Sequence, residues 1–369
     1  MNVFPAEAGP ELAPQRLTRA LWRLGIPFSA IRAVAGDVSS RRYFRVWAGD
    51  RTFVACLYPE PFDETESARD RWFRLCQTEP AVRLGFASDP LAYVEVTAWL
   101  TETNIPVPAI KGVAGAFGCI VTEDVGDRSL EKELHHADFA TAFRLYSKAL
   151  EYVQMLQLST AEATRRGLVA CSLTLDEEKL THELGFLARA LRSFLPHAIG
   201  VEDMARLQGE WSAIALEAAD EPMVLCHRDY HARNLFLRGD TLMVIDHQDM
   251  RLGSRHYDAV SLLWDPYVDV SQELRQQLMP ATDGHIAAIV SQRLLKALGT
   301  YLNVLITRAS PVFIAAADRA LRSLTGSLAQ MDLSTESTEA MICHLQSLLR
   351  ARYGVQRGSV DCPNLADKE

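Results

Sequence analysis

Apolar and polar residues alternate in the first third of the chain and recur at helical spacing through most of the rest. Leu12, Leu17, Leu21, Trp22 and Leu24 predict a leading helix over 11–24. Residues 31–35 read as a short strand, Arg42-Tyr43-Phe44-Arg45-Val46-Trp47 as an alternating one, and 52–57 as a third. Small and polar residues turn the chain at Gly36–Arg41 and Ala48–Asp50. Pro59 to Pro90 is a charged connection with room for a short helix over 67–76. A helix over 91–100 stops at Asn104-Ile105-Pro106-Val107-Pro108, and a strand pair is expected around 109–113 and 117–121. Thr122-Glu123-Asp124-Val125-Gly126-Asp127 then interrupts the strand with acids and glycine, and it sets a predicted boundary between domains at 1–124 and 125–369. Beyond it the period is helical to about 215. Phe143, Leu145, Tyr146, Leu150, Val153 and Leu156 form one long amphipathic helix. Further helices are expected over 256–264, 285–307, 312–330 and 336–353. A strand-rich first third before a helix-rich remainder is an α+β chain.

The stretch between the two groups of helices carries the chemistry. Val224-Leu225-Cys226-His227-Arg228-Asp229-Tyr230-His231-Ala232-Arg233-Asn234 places an Asp five residues before an Asn and two after a His. An Arg238-Gly239-Asp240 turn follows, then the apolar run Leu242-Met243-Val244-Ile245, which ends on Asp246. Asp229 is suited to accept a proton from a hydroxyl. Asn234 and Asp246 offer the hard oxygens that Mg²⁺ prefers.

Composition narrows the classes. Hydrophobic residues make up 48% and charged residues 23% of the chain, as in a globular protein. No apolar run approaches the ~20 residues of a membrane span, and the first residues show no secretory signal. A net charge of −9 argues against a nucleic-acid partner, which requires a basic face. The seven cysteines are irregularly spaced with no Cys-x-x-Cys, so neither a disulfide framework nor a zinc site is expected. A reduced, cytoplasmic location fits these features.

His227-Arg228-Asp229 with Asn234 is the His-Arg-Asp-x-x-x-x-Asn pattern of kinases, and Ile245-Asp246-His247-Gln248-Asp249 follows it. The chain resembles the aminoglycoside phosphotransferase and choline kinase-like family, relatives of the protein kinases. Within that family it looks most like the bacterial kinases that phosphorylate C1 of N-acetylmuramate and N-acetylglucosamine. Gly36–Arg45, His227–Asn234, Val244–Asp249, Tyr257–Leu263 and Gln292–Gly299 carry the likeness. The resemblance implies a bilobal protein-kinase-like fold, with a β-rich nucleotide lobe and a helical lobe holding the catalytic loop. It implies ATP and Mg²⁺ as cofactors, Asp229 as the base, and Asn234 and Asp246 as metal ligands. His227 would brace the loop, and Asp258 would hold it from the next helix. Ser39, Ser40, Arg41 and Arg45 would meet the phosphates, and the backbone around Glu123 and Val125 would meet adenine. Glu183, Arg233 and Asp249 are candidates for the substrate side.

One departure stands out. Protein kinases carry a Lys on the third strand to grip the α- and β-phosphates. Here Thr52-Phe53-Val54-Ala55-Cys56-Leu57-Tyr58 has none, and the nearby cations are Arg41, Arg42 and Arg45. The expected function is ATP-dependent transfer to a sugar hydroxyl, with a small-molecule substrate and ATP as partners and neither nucleic acid nor membrane. The alternatives are an aminoglycoside or amino-alcohol kinase, and a non-catalytic kinase-like binding protein.

Overall fold

The computed structural model describes residues 12–34, 40–85, 89–195, 199–219, 223–279, 283–307 and 310–355. In chain order its elements begin with α1 (Leu12–Arg23), β1 (Ala30–Val34), β2 (Arg42–Ala48), β3 (Arg51–Leu57), α2 (Ala68–Thr78), α3 (Pro90–Glu102), β4 (Ile110–Ala114) and β5 (Cys119–Glu123). They continue with α4 (Leu130–Leu134), α5 (Phe139–Leu158), α6 (Thr160–Arg166), α7 (Glu177–Phe194) and α8 (Val201–Ala218). Next come β6 (Val224–Cys226), β7 (Leu235–Arg238), β8 (Thr241–Val244) and β9 (Arg251–Gly253). The chain closes with α9 (Tyr257–Leu263), α10 (Gln272–Leu278), α11 (Gly284–Thr307), α12 (Pro311–Leu328) and α13 (Glu336–Tyr353).

The chain separates into two compact units, each discontinuous in sequence. The first comprises Met1–Arg128, Ala161–Ser172 and Phe236–Met250. The second comprises Ser129–Thr160, Leu173–Leu235 and Arg251–Glu369. A single division after residue 124 therefore does not describe how the chain is shared out. The helix α6 and the hairpin leading to Asp246 belong with the sheet.

In the first unit five strands form a sheet in the order β1-β2-β3-β5-β4, with antiparallel neighbours throughout. The alternation of Arg42–Ala48 dictates its packing. Phe44 and Val46 point inward and meet Leu17, Leu21, Ala55, Leu57, Cys119 and Val121. The leading helix covers this face with Leu17 and Leu21, whereas Trp22 falls off the apolar stripe and is 70% exposed. Burying Leu17, Leu21, Phe44, Val46, Leu57 and Val121 contributes about 1.5–3 kcal/mol each before chain entropy is counted. The charged connection after β3 is tied to this unit. Trp72 of α2 is buried, Arg71 Nε donates to Asp89 at 2.5 Å, and the Glu64 carboxylate accepts the Gly115 N–H at 2.6 Å.

In the second unit α7, α8, α11, α12 and α13 share one hydrophobic core that includes Trp211, Leu295, Leu302 and Tyr301. Its centre is α11, which buries residues on every side. Two short strands, β6 and β9, pair antiparallel with Cys226 opposite Arg251, and Leu252 bonds to Leu173 and Leu175. Cys56, Cys76, Cys119, Cys171 and Cys226 are free thiols.

The helices α7 and α11 meet at Gly299. A methyl group there would sit 3.0 Å from Leu187 Cα and 3.1 Å from its backbone nitrogen. Alanine is favoured over glycine in a helix by up to about 1 kcal/mol, but overpacking costs about 1–3 kcal/mol. The Gly299→Ala variant is expected to lose about 1–2 kcal/mol in urea unfolding. A variant more stable than the parent would show that the two helices have slack between them.

Candidate active site

In the second unit β6 delivers the chain into a loop, His227–Asn234, that is bound at nearly every turn. Asp258, at the start of α9, accepts the His227 N–H at 2.6 Å and the Arg228 N–H at 2.9 Å. Asp265 accepts the N–H groups of Ala232 and Tyr267, each at 2.9 Å. Tyr230 donates its hydroxyl to Ala149 O at 2.8 Å, and Asn234 Nδ2 donates to Asp229 O at 2.9 Å. The His227 ring is buried edge-on to Tyr230. These bonds hold Arg228 at a φ of +78°, a left-handed conformation that costs a non-glycine residue about 1–3 kcal/mol. Asp258 thus fixes the backbone at both His227 and Arg228.

Arg228 is buried, and its guanidinium ties two carboxylates together. Nε and NH2 donate to Glu183 Oε1 at 3.2 and 2.8 Å, and NH1 reaches Asp229 Oδ2 at 3.2 Å. Lys179 Nζ lies 3.2 Å from the same Glu183 oxygen. Asp229 is met from its other side by α11. Lys296 Nζ donates to Oδ1 at 2.8 Å, and Arg293 NH1 lies 3.4 Å from it. The Asp229 side chain remains 28% exposed while all three cations are more deeply placed. Burial alone would raise its carboxyl, but Lys296, then Arg228 and Arg293, outweigh that and hold it well below the usual carboxylate range. Asp229 is an ionised, weakly basic group with a cation on each oxygen.

In the first unit the hairpin of β7 and β8 ends on Asp246, which adopts a φ of +63°. Its Oδ1 accepts Arg41 NH2 at 3.1 Å and Gln248 Nε2 at 3.0 Å. The turn beyond is braced from α3: Thr97 Oγ1 and His247 Nε2 are 2.7 Å apart, and Tyr93 stacks on the His247 ring at 4.7 Å. Where a third-strand Lys is missing, β3 presents Cys56 opposite Tyr43. Burial pushes the Cys56 thiol up to about 11, so it is neutral. The cation beside Asp246 comes instead from Arg41, on the bend before β2.

Several other expected site residues are committed elsewhere. Ser39 lies outside the described residues, and Ser40 is exposed at the bend before Arg41. Arg45, expected on the phosphates, is corrected to a clamp: its guanidinium binds Asp124 at 2.6 Å and Asp127 at 2.9 Å, joining β2 to the coil after β5. Glu123 ends β5, gives its N–H to Ala109 O, and pairs its carboxylate with Lys111 and Arg238, while Val125 is half-buried in the coil beyond. Glu183, expected on the substrate side, is corrected too. Its side chain is 1% exposed and sealed between Arg228 and Lys179, so it supports the loop and cannot meet a sugar. Arg233 pairs with Glu131 at 3.0 Å and lies 3.8 Å over the Tyr267 ring. Asp249 is buried in the turn after Asp246. Sequence reading missed Arg293, Lys296 and Asp265. Arg293 and Lys296 are three apart and share a helix face, but nothing local says that the face meets Asp229.

A sheet unit, a helical unit and a braced Asp-x-x-x-x-Asn loop are the parts of a phosphotransferase. Residues 30–288 match the phosphotransferase enzyme family, APH, and the chain belongs to that family. It is 24% identical over 257 residues to N-acetylmuramate/N-acetylglucosamine kinase of Caulobacter vibrioides, covering 65% of this chain and 68% of that one. It is 26% identical over 247 residues to the enzyme of the same name from Pseudomonas aeruginosa, covering 66% and 62%. The chain thus spans a little under to a little over two thirds of these relatives. In fold it is similar to choline kinase from Streptococcus pneumoniae, with a TM-score of 0.56 over 85% of this chain and 99% of that one at 10% identity. Among the described residues no helix is long and apolar enough to cross a membrane.

Asp265 gives the loop a pH-dependent anchor. Burial pushes its carboxyl up to about 6, from an ordinary 3.8. Since the folded value lies above the unfolded one, the stability it contributes is complete below about pH 4 and lost as pH rises through 6, a change of up to roughly 3 kcal/mol. The Asp265→Asn variant does not titrate, and it offers only one acceptor to two N–H groups. Its melting temperature is expected to lie below the parent's at pH 4.5, with the gap narrowing by pH 7.5. A gap that stays constant between those values would show that Asp265 does not titrate in this range.

Proposed function

We propose that the protein is an ATP-dependent kinase that transfers the γ-phosphate to a sugar hydroxyl, with C1 of N-acetylmuramate or N-acetylglucosamine as the acceptor. The observation that carries this reading is the cationic surround of Asp229. Lys296, Arg293 and Arg228 all lie within 3.4 Å of its carboxylate. An aminoglycoside or a choline-like alcohol would bring its own positive charge against theirs, whereas a neutral or acidic sugar would not. A carboxylate held so far down is also a weak base. It assists best when the hydroxyl is acidic, and the anomeric hydroxyl is the most acidic of a sugar. The names of the two bacterial relatives support the same acceptor.

In this reading Asp229 orients the acceptor hydroxyl and takes its proton. The sheet-bearing unit takes the nucleotide, with Arg41 toward the phosphates and the backbone from Glu123 to Val125 toward the base. Asn234 and Asp246 fit Mg²⁺ by their donor chemistry: Asn234 spends its amide nitrogen on Asp229 O, which leaves its oxygen for a cation, and Asp246 is a carboxylate. Bound Mg²⁺ would neutralise phosphate charge. Asp229, Asn234 and Asp246 together weigh against a non-catalytic binding protein.

The test is to incubate the protein with MgATP and either hexosamine and to follow the product by ³¹P NMR. A C1 phosphate is expected, with a matching fall in reducing sugar. Replacing Asp229 by Asn is expected to lower kcat by about 10²- to 10⁴-fold while nucleotide binding persists. Turnover of kanamycin or choline with none of either hexosamine would overturn the assignment.

A further inference from the structure

The cations of α11 are more than the pairing of Asp229 requires. Arg228 is shared between Glu183 and Asp229, so its charge is already divided. Among the described residues Arg293 and Lys296 form direct ion pairs with Asp229 alone. Two full positive charges thus converge on one carboxylate oxygen, and both are drawn out of water with only 11% and 12% of their side chains exposed. Packing a second cation against a first is unfavourable unless further negative charge comes to the site. Of the three donors of the Lys296 ammonium, one is used, on Asp229 Oδ1 at 2.8 Å. Arg293 is fixed by its position over the Tyr257 ring, 5.3 Å from the centroid, and so has little freedom to leave. Lys296 stands on a flexible four-carbon stem and can turn its ammonium by an ångström or two without leaving Asp229. The helix beneath it is rigid. Gln292 Nε2 donates to Leu180 O at 3.3 Å and to Glu183 Oε2 at 3.4 Å, and Gly299 lies against Leu187.

From this geometry we infer that Lys296 is a second catalytic residue, one that contacts the phosphoryl group in transfer while it also holds Asp229. The inference rests on the phosphotransferase reading, but on no particular acceptor. In the step itself the acceptor oxygen forms a bond to the γ-phosphorus, and the bond from that phosphorus to the β-bridging oxygen breaks. The electron pair leaves on the nucleoside diphosphate, and the hydroxyl proton passes to Asp229. The phosphoryl group must therefore come within a bond length or two of the oxygen that Asp229 addresses. A cation already hydrogen-bonded to Asp229 lies within reach of the equatorial oxygens, where charge is spread in a loose transition state. In this chain α11 supplies that charge. Arg293 serves as the fixed neighbour that keeps the region positive.

A double-mutant cycle between Lys296 and Asp229 separates this role from simple support of Asp229. The full-length protein, Lys296→Met, Asp229→Asn and the double variant are compared, with Lys296→Arg as a charge-keeping control and melting temperatures to confirm folding. Turnover is read with a hexosamine acceptor and, with water as the acceptor, as slow ATP hydrolysis. The second reading is independent of which sugar the protein uses, so inactivity toward hexosamines alone counts against the acceptor and not against Lys296. Expected is a fall in kcat of about 10²-fold or more for Lys296→Met, with KM for MgATP within about threefold and partial recovery in Lys296→Arg. In the Asp229→Asn background the loss of Lys296 is expected to cost at least a further tenfold, because its contact with the phosphoryl group does not pass through Asp229. A double variant no slower than Asp229→Asn would overturn the inference and leave Lys296 as a positioning residue.

Discussion

The buried guanidinium of Arg228 is the constraint from which the catalytic loop takes its shape. A charge removed from water costs several kcal/mol unless every donor finds an acceptor. Glu183 on α7 and Asp229 in the loop fill that role, and Lys179 adds a second cation on the same Glu183 oxygen. The backbone cannot relax away, because Asp258 grips the N–H groups of both His227 and Arg228. A left-handed arginine persists there because its surroundings fix it from both ends. Removing Glu183 or Asp258 would therefore unmake the loop without touching Asp229 itself, and that is why neither is available as a substrate contact.

Both units hold their key carboxylate by the same device. In the helical unit Lys296 and Arg293 lie on Asp229; in the sheet unit Arg41 lies on Asp246. Each pair keeps a carboxylate ionised in partly dry surroundings. Each also sets out in advance a cation near the place where phosphate charge is expected. Arg228 and Asp246, at these two points, both adopt positive φ, and the surrounding bonds offset the local strain.

Much of this was legible in the sequence, and the reasons differ by feature. The inward Phe44 and Val46 follow from period-two alternation, and α5 from its helical period, because both are local patterns. The loop was legible because its residues lie within eight positions of one another. Arg41 and Asp246 are 205 positions apart, and Lys296 lies 67 beyond Asp229. No local rule pairs charges across such distances. Glu183 misled for a related reason. On a helix a lone Glu looks solvated, and only the arrival of Arg228 from another element shows that it is buried. The division at residue 124 was read from a change in composition. Contacts instead assign α6 and the Asp246 hairpin to the sheet unit, and these are tertiary facts.

The absent third-strand lysine has a physical resolution. Phosphoryl transfer asks for positive charge at defined points, and it is indifferent to which strand or helix supplies that charge. A lysine on β3 would stand close to Tyr43, Tyr58 and Tyr93, whose phenols are buried. Such surroundings favour the neutral Cys56 over a second desolvated ammonium beside Arg41. An arginine arriving from the bend before β2 reaches Asp246 with its planar fork while its stem passes Tyr43, 5.8 Å from the ring centroid. The guanidinium stays charged at any accessible pH, so the site keeps its cation despite the burial that would threaten a lysine. The lysine signature is absent from the sequence, while a cation still lies against Asp246 in the structure.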